Sequence, residues 1–244
     1  MSGTSPLVAW MDRALYPTYT DRWDDLFLRQ QILRVLEPSH CVLDLGAGAG
    51  IVPEMNFKGK AARVFGVDPD ARVMGNPYLD EGRIGTGEDL PFADQTFDIV
   101  FADNVLEHLR DPRRIFKEVA RVLRPGGRFF AKTPNRWHYV ATLARLTPHA
   151  FHAWFNTRRG RKSVDTFPTL YLANTPHQIR ALGSSVGLET ESITLVEGRP
   201  EYLRTFAPAY AAGYLYERVV NGIDALAPFR VVLVARLQRP GVVT

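Results

Sequence analysis

Residues 42–50 read VLDLGAGAG, and the reading of this stretch decides the fold. CVLDLG, residues 41–46, reads as a short buried strand that Gly46 breaks. Gly46, Gly48 and Gly50 then alternate with small residues, so the backbone can turn tightly and approach a ligand closely. A dinucleotide fingerprint, G-x-G-x-x-G/A, requires a small residue where this chain has Ile51. Asp44, just before the turn, would set a carboxylate beside phosphates. A cationic, nucleoside-like ligand suits the loop better than a pyrophosphate.

The flanking sequence supplies the layers. DDLFLRQQILRVLEP, residues 24–38, spaces its apolar residues as an amphipathic helix that Pro38 ends. ARVFGVD (62–68) and FDIVFAD (97–103) read as buried strands, each ending in an acid. DPRRIFKEVARVLRPGG reads as a helix capped by Asp111, with Pro112 in its first turn and Pro125-Gly126-Gly127 as its stop. RFFAKT resumes a strand, TPHQIRALGSSVGL is a helix capped by Thr175, and ESITLVE and RVVLVARL are closing strands. Strands alternating with helices predict an α/β fold with a Rossmann-like doubly wound sheet, whose ligands bind at the carboxyl ends of the strands. Asp44, Asp68 and Asp103 all fall at such ends. Asp68 follows Gly46 by 22 residues, the spacing at which an acid accepts hydrogen bonds from ribose hydroxyls.

The bulk properties fit an ordinary globular protein: 244 residues, 45% hydrophobic and 23% charged. They predict a single domain over residues 1–244. One cysteine, Cys41, excludes an internal disulfide framework and predicts a cytoplasmic location. The chain shows no secretory pattern at its start and no apolar run long enough to span a bilayer. A net charge of +4 names no partner by itself.

In these motifs the chain resembles class I S-adenosylmethionine-dependent methyltransferases of the broad small-molecule type. VLDLGAGAG resembles the family's first motif, VFGVDPD its second, and GTGEDLPFADQTFDIVFADNVLEHLRDPRRIFKEVARVLRPGG its later block. The resemblance implies S-adenosyl-L-methionine as cofactor. Asp44, Gly46, Ala47, Gly48 and Gly50 would enclose its methionine end, Asp68 would hold the ribose, and Pro69 would lie against the adenine. Thr86 stands where many relatives carry an acid, which shifts adenine recognition to the backbone near Gly87 and Glu88. Asp103 and Asn104 complete the cofactor set. The resemblance also implies a seven-stranded sheet of order 3-2-1-4-5-7-6. Relatives that read E-x-x-E-H bind a divalent metal; here Asn104 replaces the first glutamate, leaving Glu107 and His108, so no metal is expected. His108 is a candidate base as well as a residue packed near the cofactor.

Residues 134–175, after the fifth strand, form the expected substrate-side insertion or lid. From Val119 to Val164 the chain has ten Lys or Arg and no Asp or Glu, interleaved with Trp137, Tyr139, Phe151, Trp154 and Phe155. This sets a positive field that attracts an anionic or polar partner: a small-molecule or lipid-like substrate, or an anionic membrane surface met peripherally. RNA is a further reading, weakened by the absence of a recognisable RNA module or long basic tail. WHYVATLARL and PHAFHAWFN read as short helices. His138 is the first candidate for removing a proton from a hydroxyl nucleophile. Asn135 and Tyr139 would orient that nucleophile, and Arg136 and Tyr16 would contact substrate. The activity expected is methyl transfer to an oxygen or nitrogen atom; a catalytically silent cofactor-binding protein, an RNA methyltransferase and a nicotinamide-dependent oxidoreductase are the alternatives.

Overall fold

A computed structural model describes residues 5–140, 142, 169–204 and 206–241. Seven strands form one mixed sheet: β1 (Cys41–Leu45), β2 (Arg63–Asp68), β3 (Glu81–Ile84), β4 (Phe97–Asp103), β5 (Leu123–Pro134), β6 (Glu189–Val196) and β7 (Val232–Gln238). Their order is β3-β2-β1-β4-β5-β7-β6, as the motifs imply. The pairs β1·β2, β1·β4, β2·β3 and β4·β5 are parallel. Gly126 and Gly127, early in β5, exchange backbone hydrogen bonds with Arg239, just past the end of β7, so this last pairing runs antiparallel.

The described helices are α1 (Pro6–Leu15), α2 (Trp23–Leu33), α3 (Pro112–Val122), α4 (Pro176–Ser185) and α5 (Ala207–Gly222). The caps of α3 and α4 are those the sequence predicts: Asp111 accepts from Arg114 N, and Thr175 from Gln178 N. Helix α2 stops at Leu33, short of Pro38. There Val35 N and Leu36 N both turn back to Ile32 O, tightening the last turn. Likewise α3 passes directly into β5 at Leu123, and Pro125–Gly127 lie inside the strand's span. The crossovers β1-to-β2 and β2-to-β3 carry short 3₁₀ turns, Pro53–Met55 and Ala71–Gly75. PHAFHAWFN, and WHYVATLARL beyond Val140 apart from Thr142, lie outside the described residues.

Chain contacts separate two compact units: Met1–Trp23, Pro134–Pro168 and Leu195–Val232 form the first, and Asp24–Thr133, Thr169–Thr194 and Leu233–Thr244 the second. The second is built on the sheet. Ile115, Phe116, Val119 and Val122, one face of α3, are buried, as are Leu28 and Ile32 of α2. Phe57 packs edge-on against Phe101, and Phe65, Phe92 and Phe97 pack edge-on against one another. Each such ring, taken out of water, contributes about 1.5–3 kcal/mol. The first unit has a charged interior. Buried Arg199 pairs with Asp12, Asp21 and Glu201, while Arg204 and Tyr210 reach Asp12 from α5 and the turn before it. Breaking a buried network of this kind by removing one charge costs about 3–5 kcal/mol.

Candidate cofactor site

Within the second unit the glycine loop leaves β1 in left-handed backbone conformation at Gly46, Gly48 and Gly50, with φ of +82°, +50° and +72°. L-residues with side chains rarely occupy that region. Gly46 N and Ala47 N both donate to Val67 O, tying the loop to the end of β2. The Asn76 amide donates to Ala47 O and Gly48 O from the opposite side. A Cβ on Gly46 would lie 2.4 Å from Val105 Cγ2, and one on Gly50 2.3 Å from Asn76 Oδ1. At Gly48 the nearest neighbour of an added Cβ is Asp68 Oδ2, 4.0 Å away. Two glycines are thus required by packing, and the middle one borders open space beside Asp68.

Asp68 spends one carboxylate oxygen on Gly48 N at 2.9 Å and the other on Asp70 N at 2.8 Å. Each oxygen keeps a lone pair, so the group can still accept hydroxyl donors. Pro69, next in the chain, is exposed. Asp44 is buried in the sheet between Gly66 of β2 and Phe101 of β4, and no described residue donates a hydrogen bond to its carboxyl. Burial, with the charges of Asp103 and Asp68 added, holds that carboxyl well above the usual range. A cation placed beside it would reverse the shift. The loop, Asp68 and Asp44 therefore suit a ligand with vicinal hydroxyls and a positive centre. Gly87 packs against Ile115 and Leu45, and Glu88 gives its carbonyl to Arg114 Nε.

At the end of β4, Asp103 meets Lys132 of β5, whose ammonium is fully buried and also pairs with Asp24 and Asp25 of α2. Burial pulls the lysine pKa down, but three carboxylates outweigh it and keep the group charged. Asp103 is the carboxylate in excess: burial raises its pKa to about 7 against the pull of Lys132. Asn104, exposed, follows in left-handed conformation at φ +53°, strain the Asn side chain tolerates better than most. Glu107 turns inward, where Thr133 Oγ1 donates to it at 2.9 Å and Asn174 Nδ2 donates to the same hydroxyl. His108 remains 30% exposed, its Nε2 3.9 Å from Glu107 Oε1. Among the described residues no three His, Cys, Asp or Glu converge as metal ligands.

The other predicted site residues lie in the first unit. His138 is buried: its Nδ1 accepts from Val140 N at 3.3 Å, and its Nε2 faces Glu197 Oε2 at 3.4 Å. Burial lowers the histidine to about 3 and raises the glutamate to about 8, so both are neutral near pH 7. Tyr139 lies against the rings of His138 and Tyr216. Asn135 commits both amide hydrogens to the carbonyls of Pro228 and Arg230. The Tyr16 hydroxyl donates to Glu217, and Arg136 is half-buried. Sequence reasoning missed Asn76, Lys132, Asp24, Asp25 and Glu197. Asn76 sits in an Asn-Pro step that reads as an ordinary turn, and the partners of Lys132 in α2 are more than 100 residues away.

Residues 43–131, the glycine loop through most of β5, match the family model for a methyltransferase domain. Over this span the chain is similar to class I methyltransferase domains. The cofactor of this class is S-adenosylmethionine. Among curated relatives, an uncharacterized methyltransferase of Mycobacterium sp. (strain JLS) is 41% identical over 90 residues, 35% of each chain. A ubiquinone biosynthesis O-methyltransferase of Rhizobium etli (strain CIAT 652) is 34% identical over 123 residues, 46% of this chain and 48% of that one. The matches to these relatives span less than half their length. The fold extends further. A methyltransferase solved in complex with the Haloferax volcanii Trm112 methyltransferase activator superposes with a TM-score of 0.58 at 20% identity, covering 96% of this chain and 98% of that one.

Proposed function

We propose that this protein transfers a methyl group from S-adenosylmethionine to an oxygen or nitrogen atom of a small or lipid-like metabolite. The observation that carries the reading is the juxtaposition of three features in the second unit: the open face of Gly48, Asp68 beside it, and buried Asp44 without a hydrogen-bond donor. When bound, the cofactor supplies an electrophilic methyl on a sulfonium. The chain's part is to bind and align. Asp68 accepts the ribose hydroxyls with its remaining lone pairs, Pro69 flanks the base, and Asp44 offers negative charge to the positive end. Gly87 and Glu88 flank the adenine, and Asp103 and Asn104 close the cofactor set. Holding reactants in line supplies on the order of 7 kcal/mol or more of barrier lowering when alignment is good.

A hydroxyl acceptor also has to lose a proton. His108, partly exposed beyond the end of β4, is the residue we assign to that step. Nδ1 of His138 accepts from Val140 N, its Nε2 faces Glu197 without a hydrogen bond, and its imidazolium is strongly disfavoured, so we assign it a positioning role with Tyr139 and Glu197. Substrate contacts are assigned to Tyr16, Arg136 and the face of Tyr139; Asn135 shapes the turn that carries Arg136 and Tyr139. The similarity to a ubiquinone biosynthesis O-methyltransferase supports a hydroxyl acceptor. Calorimetry with S-adenosylmethionine, S-adenosylhomocysteine and NAD, followed by a labelled-methyl screen of metabolite extracts, tests the reading. Asp68→Ala should weaken the two sulfur ligands at least about tenfold, a loss of about 1.4 kcal/mol. Unchanged affinity removes the ribose assignment, tight NAD binding alone removes the cofactor, and cofactor binding without transfer to any product leaves a binding protein.

A further inference from the structure

Two helices of the first unit are built inside out. On α5 the buried positions are Tyr210, Gly213, Glu217 and Val220, whereas Pro208, Ala212, Leu215 and Val219 are exposed, with Ile223 exposed just beyond the helix. These exposed residues recur every three or four positions and form an apolar stripe about 22 Å long. Leu215 is 63% and Val219 50% exposed, and the exposed charged residue beside them is Arg218. Helix α1 repeats the inversion: Asp12 is buried, while Leu7 and Trp10 are 56% and 59% exposed with Arg13 one turn on. The carboxylates of both helices face inward, where Asp12 meets Arg199 and Arg204, and Glu217 meets Tyr16 and Asn221.

Charge divides in the same sense. The first unit's sequence holds 12 Lys and Arg against 7 Asp and Glu, and the second unit's 18 against 19. Most of that excess lies in the sequence of residues 145–165, outside the described residues; on the apolar stripes themselves the exposed cations are Arg13 and Arg218, with Asp224 the exposed acid next to Ile223. We infer that the first unit docks through α5 and α1 on an anionic lipid bilayer. A bilayer offers an apolar layer for Leu215, Val219, Leu7 and Trp10, and phosphate charge for the neighbouring arginines. A nucleic acid offers the charge without the apolar layer, and a second copy of this chain brings the same cations to the contact. The inference does not depend on methyl transfer.

The test is sedimentation of the full chain with phosphatidylcholine vesicles, with and without phosphatidylglycerol. The expected result is binding to the mixed vesicles that falls with added salt, and little to phosphatidylcholine alone. Leu215→Glu with Val219→Glu, and separately Leu7→Ser with Trp10→Ser, should each weaken binding at least about tenfold while circular dichroism shows a folded chain. If the glutamate pair disturbs folding, the α1 pair decides. Wild-type protein that ignores anionic vesicles overturns the inference, as does a folded variant that binds them unchanged. A wild-type dimer that the same substitutions make monomeric assigns the stripe to a second copy instead. RNA binding without vesicle binding also overturns it.

Discussion

Gly46 and Gly48 sit two residues apart with the same left-handed backbone, yet they face different neighbours. Alanine at 46 would drive its Cβ into Val105, whereas alanine at 48 would project into the space beside Asp68. Both changes carry the left-handed penalty of about 1–2 kcal/mol. Gly46→Ala should therefore lower the melting temperature more than Gly48→Ala, while Gly48→Ala should lose at least about tenfold in cofactor affinity by calorimetry. Equal melting losses with unchanged affinity would show that the loop has no ligand above it. Asp103 provides the second prediction at this scale. Its folded pKa, about 7, exceeds the unfolded carboxylate value, so the folded state holds the extra proton and stability falls as pH rises toward 7. Asp103→Asn removes that titration and leaves Asp24 and Asp25 on Lys132. Between pH 5 and 8, as a test range of about three units bracketing that titration, the variant should lose less melting temperature than the wild type. A parallel decline of the two curves would place the excess proton on another group.

Elements bounded by strong local signals were legible in the sequence. Strand β4 spans FDIVFAD as read, and α3 starts at its Asp111 cap, because a cap and an apolar face act within a few residues. Strand β3, EGRI, carries no alternation of apolar and polar residues and is placed by pairing with β2. Helices α1 and α5 escaped a reading based on apolar burial because Asp12 and Glu217 point inward and Leu215 outward. The glycine loop and the three strand-end aspartates were readable in the same local way. The grip of Asn76 on that loop and the pairing of Lys132 with the α2 aspartates were not, since each depends on partners distant in the chain. The Glu107–Thr133–Asn174 chain, which joins the turn after β4 to β5 and the segment before α4, belongs to that second group. Thr133→Val keeps the shape of the side chain and leaves a buried amide and carboxyl without their shared hydroxyl. A loss of about 1–3 kcal/mol in denaturant unfolding is expected. A near-neutral result would mean that the two groups find each other directly.

Across the whole molecule, the two units have different interiors: one is aromatic and apolar around a sheet, the other ionic and tyrosine-rich. A change to the ionic interior is felt chiefly through desolvated charge, and a change to the sheet through lost packing. The lysines share this contrast in miniature. Lys58, Lys60 and Lys117 are exposed, whereas Lys132 is sealed and held as an ammonium by its three carboxylates. Amine acylation requires an accessible, deprotonated nitrogen, so a mild acylating reagent should mark the first three lysines in the native chain and spare the fourth. Peptide mass mapping after graded denaturant would then show the Lys132 mass increment arriving only as the sheet opens. The buried charge is a built-in chemical clock for unfolding, readable without any substitution in the chain.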